Sequence, residues 1–163
     1  AKVADLGAAL DVSKSKGMTD SRRGTVAYMS PEVASLLPGE IFNAFQSDIY
    51  SLGICLYFLI FGEFPLKDES EVSTMYDTDT IGGITGLKCS IESKNKWKLL
   101  STDLQELLES LLSMEPEERP SIQEILESKW IQAAYDEDMP LYVFEEMEAR
   151  KRYILKKRQE ASM

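Results

Sequence analysis

Residues 24–32 read Gly-Thr-Val-Ala-Tyr-Met-Ser-Pro-Glu, and this is the stretch that decides the fold. A shorter motif, Asp5-Leu6-Gly7, precedes it, and residues 8–29 contain many small polar side chains with little hydrophobic periodicity. Such a pattern predicts a loop, and a long loop in a compact domain is usually functional. The two motifs therefore bound a candidate functional segment, residues 5–32.

The composition describes one globular domain with an acidic surface. The chain has 163 residues, of which 44% are hydrophobic and 28% are charged, and these proportions are typical of a folded domain with a core. The formal net charge is −10, from 18 basic and 28 acidic residues. Nucleic acid and anionic membrane surfaces repel such a chain, so we expect no nucleic-acid partner and favour a basic peptide or protein.

The reactive side chains exclude several kinds of catalysis. The chain has no histidine, which excludes Ser-His-Asp and Cys-His mechanisms and imidazole-based zinc sites. Cys55 and Cys89 show no Cys-x-x-Cys spacing, so we expect no disulfide framework and a reducing compartment, cytoplasmic or nuclear. Cys55 lies in an apolar run, residues 52–61, that is shorter than the roughly 20 residues of a membrane-spanning helix. We therefore expect a buried Cys55 and no membrane span.

Residues 47–61 are apolar on nearly every side and predict a central helix. Ser47 or Asp48 is a suitable N-cap, while Gly62 and Pro65 are typical of a helix end. A helix that is apolar all round is expected to be buried all round.

The last helices of the domain are predicted between about residues 102 and 130. Leucines recur at helical spacing within 103–113, which gives one stripe facing the core. Thr102 with Gln105, and Ser121 with Glu124, have the spacing of capping boxes that begin two helices.

A charged tail, residues 133–163, follows these helices. Within it, 145–159 predict a helix with acidic residues first and basic residues last, an order that suits the helix dipole. A solvated helix is the simplest interpretation, and docking to a partner or a basic targeting patch are the alternatives.

Further motifs follow in a fixed order. Residues 46–53 read Gln-Ser-Asp-Ile-Tyr-Ser-Leu-Gly, and residues 119–130 read Arg-Pro-Ser-Ile-Gln-Glu-Ile-Leu-Glu-Ser-Lys-Trp. With Asp5-Leu6-Gly7 and residues 24–32, this order resembles the eukaryotic-type protein kinase family over roughly residues 1–131. The resemblance implies a mainly α fold, which would be an incomplete large C-terminal lobe at residues 1–132. The complete parent domain would have two lobes and an α+β fold. The activation segment would be residues 5–32.

The resemblance also implies site residues. Asp5 would hold Mg²⁺ against the phosphates of ATP, because phosphoryl transfer needs a hard oxygen ligand for a hard cation, and Gly7 would allow the turn. Thr25 would lie at the site that receives a Ser/Thr residue of a protein substrate. Asp48 would accept hydrogen bonds from the backbone of the catalytic loop. Arg119 and Glu32 would form a buried ion pair.

The polar loop contains candidate phosphorylation sites. A phosphate adds about −1.5 to −2 charge and can order a loop through arginine partners. Arg22 and Arg23 are suitable partners or substrate contacts. From the sequence, four hydroxyls are equal candidates for phosphorylation: those of Ser13, Ser15, Thr19 and Ser21.

The family's catalytic loop (His-Arg-Asp-x-x-x-x-Asn), its Gly-rich loop and its strand lysine have no counterpart in these residues. Because the chain begins with Ala1, we interpret it as part of a larger Ser/Thr protein kinase and expect the isolated residues to be inactive and prone to aggregate. The alternatives are a pseudokinase, which binds or scaffolds without turnover, and a short interaction module. The intact Asp5 favours an active parent.

Overall fold

The computed structural model describes residues 4–11, 14–65, 95–134 and 152 of the chain. Two compact units are present, Ala1–Ser128 and Lys129–Met163. The described part of the second unit holds one helix, α5 (Lys129–Ala134), and the helical, exposed Arg152. The described part of the first unit contains two short strands, β1 (Met18–Thr19) and β2 (Phe42–Asn43), and four helices, α1 (Pro31–Ala34), α2 (Ala44–Phe61), α3 (Thr102–Leu111) and α4 (Ile122–Glu127). Tight 3-10 turns lie at Leu6–Ala8, Val26–Tyr28 and Pro116–Glu118.

Helix α2 is the central helix that the sequence predicted, but it begins at Ala44 rather than at residue 47. Its N-cap is Asn43, whose Oδ1 accepts hydrogen bonds from the backbone N–H groups of Phe45 and Gln46. Ser47 and Asp48 are therefore inside the first turns, and their assignment as caps was wrong. At the other end Gly62 takes a left-handed conformation (φ 77°), which glycine adopts without steric cost.

Helix α3 packs along one side of α2 through its leucine stripe. Leu104, Leu107, Leu108 and Leu111 are all buried. Gly53 of α2 permits the close approach, because a Cβ at this position would lie 2.8 Å from Leu112 Cδ2 and 2.9 Å from Leu111 Cβ. Much of the described core of the unit is thus a contact between these two helices, with Ile54 and Tyr57 fully buried on the α2 side.

The opposite side of α2 is solvent-exposed, contrary to the expectation of burial all round. Leu52 is 44% exposed, Leu59 is 80% exposed, and Cys55 is exposed rather than buried. An apolar circumference shows only that a helix tolerates burial, whereas the available packing partners decide which faces are covered. By length and composition α2 would also qualify as a membrane span, and no other described helix does.

The starts of α3 and α4 differ in how well the sequence predicted them. Ser101, and not Thr102, caps α3, and the amide of Gln105 donates instead to the carbonyl of Trp97 at 2.7 Å. Ser121 and Glu124 form the capping box that begins α4. Their hydrogen bonds also lower the pKa of the exposed Glu124.

The two strands tie the polar loop to the start of α2. They pair antiparallel, with Met18 opposite Asn43 and Thr19 opposite Phe42. Gly17 precedes the pair with φ 91°, and a Cβ there would lie 2.6 Å from the ring of Phe45. The tail helix predicted at 145–159 lies, apart from Arg152, outside the described residues, as do Ser13 and Cys89.

Candidate functional site

An ion pair joins the end of the segment 5–32 to the turn that precedes α4. Arg119 Nη1 and Nη2 each donate a 2.8 Å hydrogen bond to the Glu32 carboxylate, so the pair is bidentate. The Arg119 side chain is fully buried, and it also donates to three backbone carbonyls, those of Gln46, Ser113 and Met114. The structure thus brings together the two residues that the family resemblance paired.

The environment of this pair shifts the pKa of Glu32 and that of the neighbouring Tyr50. Burial by itself would raise the pKa of Glu32, but hydrogen bonds and charge from Arg119, with smaller contributions from the backbone and Ser30, lower it overall. The ring of Tyr50 lies 5.1 Å from the Arg119 guanidinium, a cation–π distance. Burial raises the pKa of Tyr50 to about 12. Glu32 is thus held ionised and Tyr50 neutral near pH 7.

Two serines on α2 hold the segment 25–30 in place. Ser51 Oγ donates to the backbone carbonyl of Tyr28 at 2.8 Å, and the Ser30 hydroxyl donates to Ser47 Oγ at 2.9 Å. Ser30 is completely buried. Its hydroxyl therefore adds a polar link between this segment and α2.

A cavity of about 310 Å³ opens beside this segment. Thr25 and Asp48 both line it, Thr25 from the segment and Asp48 from α2. Asp48 keeps contact with solvent, yet partial desolvation raises its pKa. No positive charge or hydrogen-bond donor offsets that desolvation within the described ranges 4–11, 14–65 and 95–134.

The first motif lies apart from the ion pair. Asp5 has a left-handed backbone (φ 59°), and its Oδ1 accepts a long, 3.4 Å hydrogen bond from the N–H of Gly7. Ala8, Ala9 and Leu10 line the cavity, whereas Asp5 itself is exposed and does not. Within the part of the chain that the structure describes, no cluster of three or more metal-ligating side chains forms around Asp5 or elsewhere.

The described loop hydroxyls have different surroundings. Thr19 Oγ1 accepts a hydrogen bond from the N–H of Ser21, and Ser15 accepts one from Met18 through its backbone carbonyl. Ser21 Oγ accepts a hydrogen bond from Arg23 Nε at 3.0 Å. The Ser21 hydroxyl is thus in direct contact with an arginine.

Several contacts that shape the site had no signal in the motifs. Ser47 and Ser51 lie at positions i and i+4 of α2 and so indicate a polar stripe, but their partners in the segment 25–30 lie too far along the chain to infer. The packing of Gly17 against Phe45 has no local signature at all.

Comparison with known proteins identifies the class. A family model described as "Protein kinase domain" matches residues 1–131. The chain belongs to the protein kinase family, and its mainly α fold is that of a part of the kinase domain.

Curated relatives are serine/threonine kinases. The chain is 30% identical over 89% of its length to "Cell cycle serine/threonine-protein kinase CDC5/MSD2" of Saccharomyces cerevisiae, matching 19% of that protein. It is 34% identical over 80% of its length to "Serine/threonine-protein kinase Nek4" of Mus musculus, matching 15% of that protein. It is 32% identical over 82% of its length to "Ovarian-specific serine/threonine-protein kinase Lok" of Drosophila melanogaster, matching 26% of that protein. The chain therefore spans less than a third of the length of each of these relatives.

Proposed function

We propose that this chain is part of a Ser/Thr protein kinase, which transfers the γ-phosphate of ATP to serine or threonine hydroxyls of proteins. The observation that carries the proposal is the bidentate pair of Glu32 and Arg119, 87 positions apart, which fixes the end of the segment 5–32 against the helical lobe. The family match over residues 1–131 and the names of the relatives support the same activity.

Asp5 is the residue of this chain that would hold Mg²⁺. Its carboxylate is exposed and makes one long hydrogen bond, so oxygen lone pairs remain for a cation. Mg²⁺ commonly takes one or two carboxylates together with substrate phosphates and water, so a single aspartate fits the requirement. When bound, the cation would neutralise charge that develops on the transferred phosphoryl group.

The segment 25–30 would receive the acceptor residue of the substrate. Thr25 is exposed at its start, and two hydrogen bonds hold the segment on α2: Ser51 donates to the carbonyl of Tyr28, and the Ser30 hydroxyl donates to Ser47. A rigid surface lowers the entropic cost of orienting the acceptor hydroxyl, which is a large part of catalysis when chemistry relies on positioning. Asp48 faces the cavity beside this segment and would accept hydrogen bonds from a catalytic loop placed there.

We further propose that Ser21 is the regulatory phosphorylation site in the loop. Arg23 already donates to its hydroxyl, and a phosphate at this position would gain charge-assisted hydrogen bonds from the same guanidinium. Substitution of Ser21 by Ala in the longer protein should remove activation by an upstream kinase, whereas Thr19→Ala should leave that activation in place.

The remaining expectations are also proposals. The absence of any histidine or His-Arg-Asp motif from these residues supports a catalytic base outside them, so the 163 residues alone would not transfer phosphate. Two cysteines without a pairing pattern support a reducing compartment, cytoplasmic or nuclear. The tail would dock to a partner through residues 145–159.

The experiment is a transfer assay with a longer protein that contains this chain, using Mg·ATP and peptides that offer serine, threonine or tyrosine. We expect phosphorylation of serine or threonine and none of tyrosine, and no transfer by the 163 residues alone. A longer protein that binds ATP without transferring phosphate would favour the pseudokinase alternative.

A further inference from the structure

Three aromatic side chains form a continuous cluster beside the segment 25–30. The ring of Tyr28 packs edge-on against Phe64, with centroids 5.1 Å apart and planes at 89°. Phe64 in turn packs against Phe58, with centroids 4.8 Å apart and planes at 37°. Tyr28 belongs to the segment itself, Phe58 to the last turns of α2, and Phe64 to the chain just after Gly62.

This aromatic cluster (Tyr28, Phe58 and Phe64) is reachable from solvent. Phe58 is 39% exposed, and Tyr28 and Phe64 are half-buried. None of its side chains carries a charge. Burying more of the Phe58 ring would be favourable, because the free energy gained is proportional to the apolar area removed from water.

The aromatic cluster is continuous with the surface that the proposed function assigns to the substrate. Tyr28 is a member of both, and the hydrogen bond from Ser51 to its carbonyl fixes its position relative to α2. A peptide that lies along the segment 25–30 would therefore place one of its residues, near the acceptor hydroxyl, against these rings.

We propose that the aromatic cluster is a specificity subsite that binds an apolar side chain of the protein substrate, with Phe58 as its main contact. This inference rests on the proposed function. An arginine or lysine in the subsite would lose water without gaining a carboxylate from the cluster, and an unpaired charge is costly to desolvate. The net charge of −10 favours basic substrates overall, but at this position the substrate residue is apolar.

The test uses the longer protein and pairs of acceptor peptides that differ at one flanking position, leucine in one and arginine in the other. At one such position we expect kcat/KM to be about tenfold higher for the leucine peptide, the scale of discrimination that one apolar side chain gives in a pocket. Phe58→Glu should reverse that preference. Phe58→Ser, which removes the ring without adding charge, should reduce it to about threefold or less.

Leu59→Glu is the matched control. It adds the same charge one residue along the same helix, at a side chain that is 80% exposed and outside the cluster, and it should leave the leucine preference unchanged.

Three results would overturn the subsite. One is a wild-type enzyme that treats leucine and arginine alike at every flanking position. Another is a Leu59→Glu variant that shifts the preference as much as Phe58→Glu. The third is a Phe58→Ser variant with the full tenfold preference. A wild-type protein that phosphorylates no peptide would instead overturn the proposed function on which the subsite rests.

Discussion

The Glu32 carboxylate and the Arg119 guanidinium, 87 positions apart in sequence, meet in two hydrogen bonds of 2.8 Å each. The Arg119 side chain is fully buried, while that of Glu32 retains 19% exposure. Such a pair adds little net stability compared with apolar residues of the same size, but the loss of one partner leaves an uncompensated buried charge. Because losing either partner is costly, the pair fixes the position of the segment 5–32 against the helical lobe.

Glu32→Gln should therefore destabilise the chain strongly. We expect a loss of about 3–5 kcal/mol in the free energy of unfolding, because Arg119 would stay buried without its counter-charge. Denaturant unfolding followed by circular dichroism would measure the loss. Glu117→Gln removes the same charge from an exposed position and should change stability by less than about 0.5 kcal/mol. Equal effects of the two substitutions would show that the pair does not hold the fold.

The stabilisation from Glu32 should depend on pH in a defined direction. Its pKa is lowered in the folded state from an ordinary value of 4.5. The contribution of ionised Glu32 to the free energy of unfolding is therefore fully present above pH 4.5, and it is lost as pH falls through the lower pKa that Glu32 has in the folded state. The stability difference between wild type and Glu32→Gln should narrow below pH 4.5. A difference that stays constant down to complete acid unfolding would contradict the lowered pKa.

Asp48 should behave in the opposite way. Partial desolvation raises its pKa, so the ionised carboxylate weakens the fold at neutral pH, and protonation relieves this as pH falls through the raised value. In the 163-residue chain Asp48→Asn should raise the midpoint of thermal unfolding at pH 7. Asp20→Asn, an exposed control, should not. In the longer protein Asp48→Asn should instead reduce phosphoryl transfer, because the proposed partners of the carboxylate are then present.

The pairing of β1 with β2 should control access to the polar loop. Gly17→Ala would place a Cβ 2.6 Å from the Phe45 ring at φ 91°, whereas Gly39→Ala has the same φ of 91° and no atom within 4 Å. We expect Gly39→Ala to cost about 1–2 kcal/mol from the left-handed backbone, and Gly17→Ala to cost about 1–3 kcal/mol more from overpacking. Trypsin should cleave after Arg22 and Arg23 faster in the Gly17 variant than in the Gly39 variant. The same cleavage rate in both would show that the packing of Gly17 on Phe45 does not order the loop.

The sequence predicted the class of fold because its motifs lie in a fixed order and each has a local signature. Ser121 with Glu124 could be placed from spacing alone, since a capping box involves only neighbouring residues. The start of α2 could not, because the choice of Asn43 over Ser47 depends on the strand that ends there. The exposure of Cys55 was missed because hydrophobic periodicity does not show which partners are available to a helix.

The contacts of the candidate site also differ in whether the sequence could predict them. The pairing of Glu32 with Arg119 could be inferred only through the family, since nothing in the local sequence relates two residues so far apart. The hydrogen bond from Ser30 to Ser47 and the aromatic cluster depend on tertiary contacts of side chains that no motif requires.

The most direct test of the kinase assignment is Mg·ATP-dependent phosphorylation of serine or threonine peptides by the longer protein, compared between wild type and Asp5→Asn. Asn keeps the size of the side chain and its single hydrogen-bond acceptor toward Gly7, but it lacks the charge that a Mg²⁺ ligand supplies. We predict transfer by the wild type and a loss of at least about 100-fold in kcat for Asp5→Asn, with the folded structure retained. Equal transfer by the two proteins, or none by the wild type, would contradict the assignment.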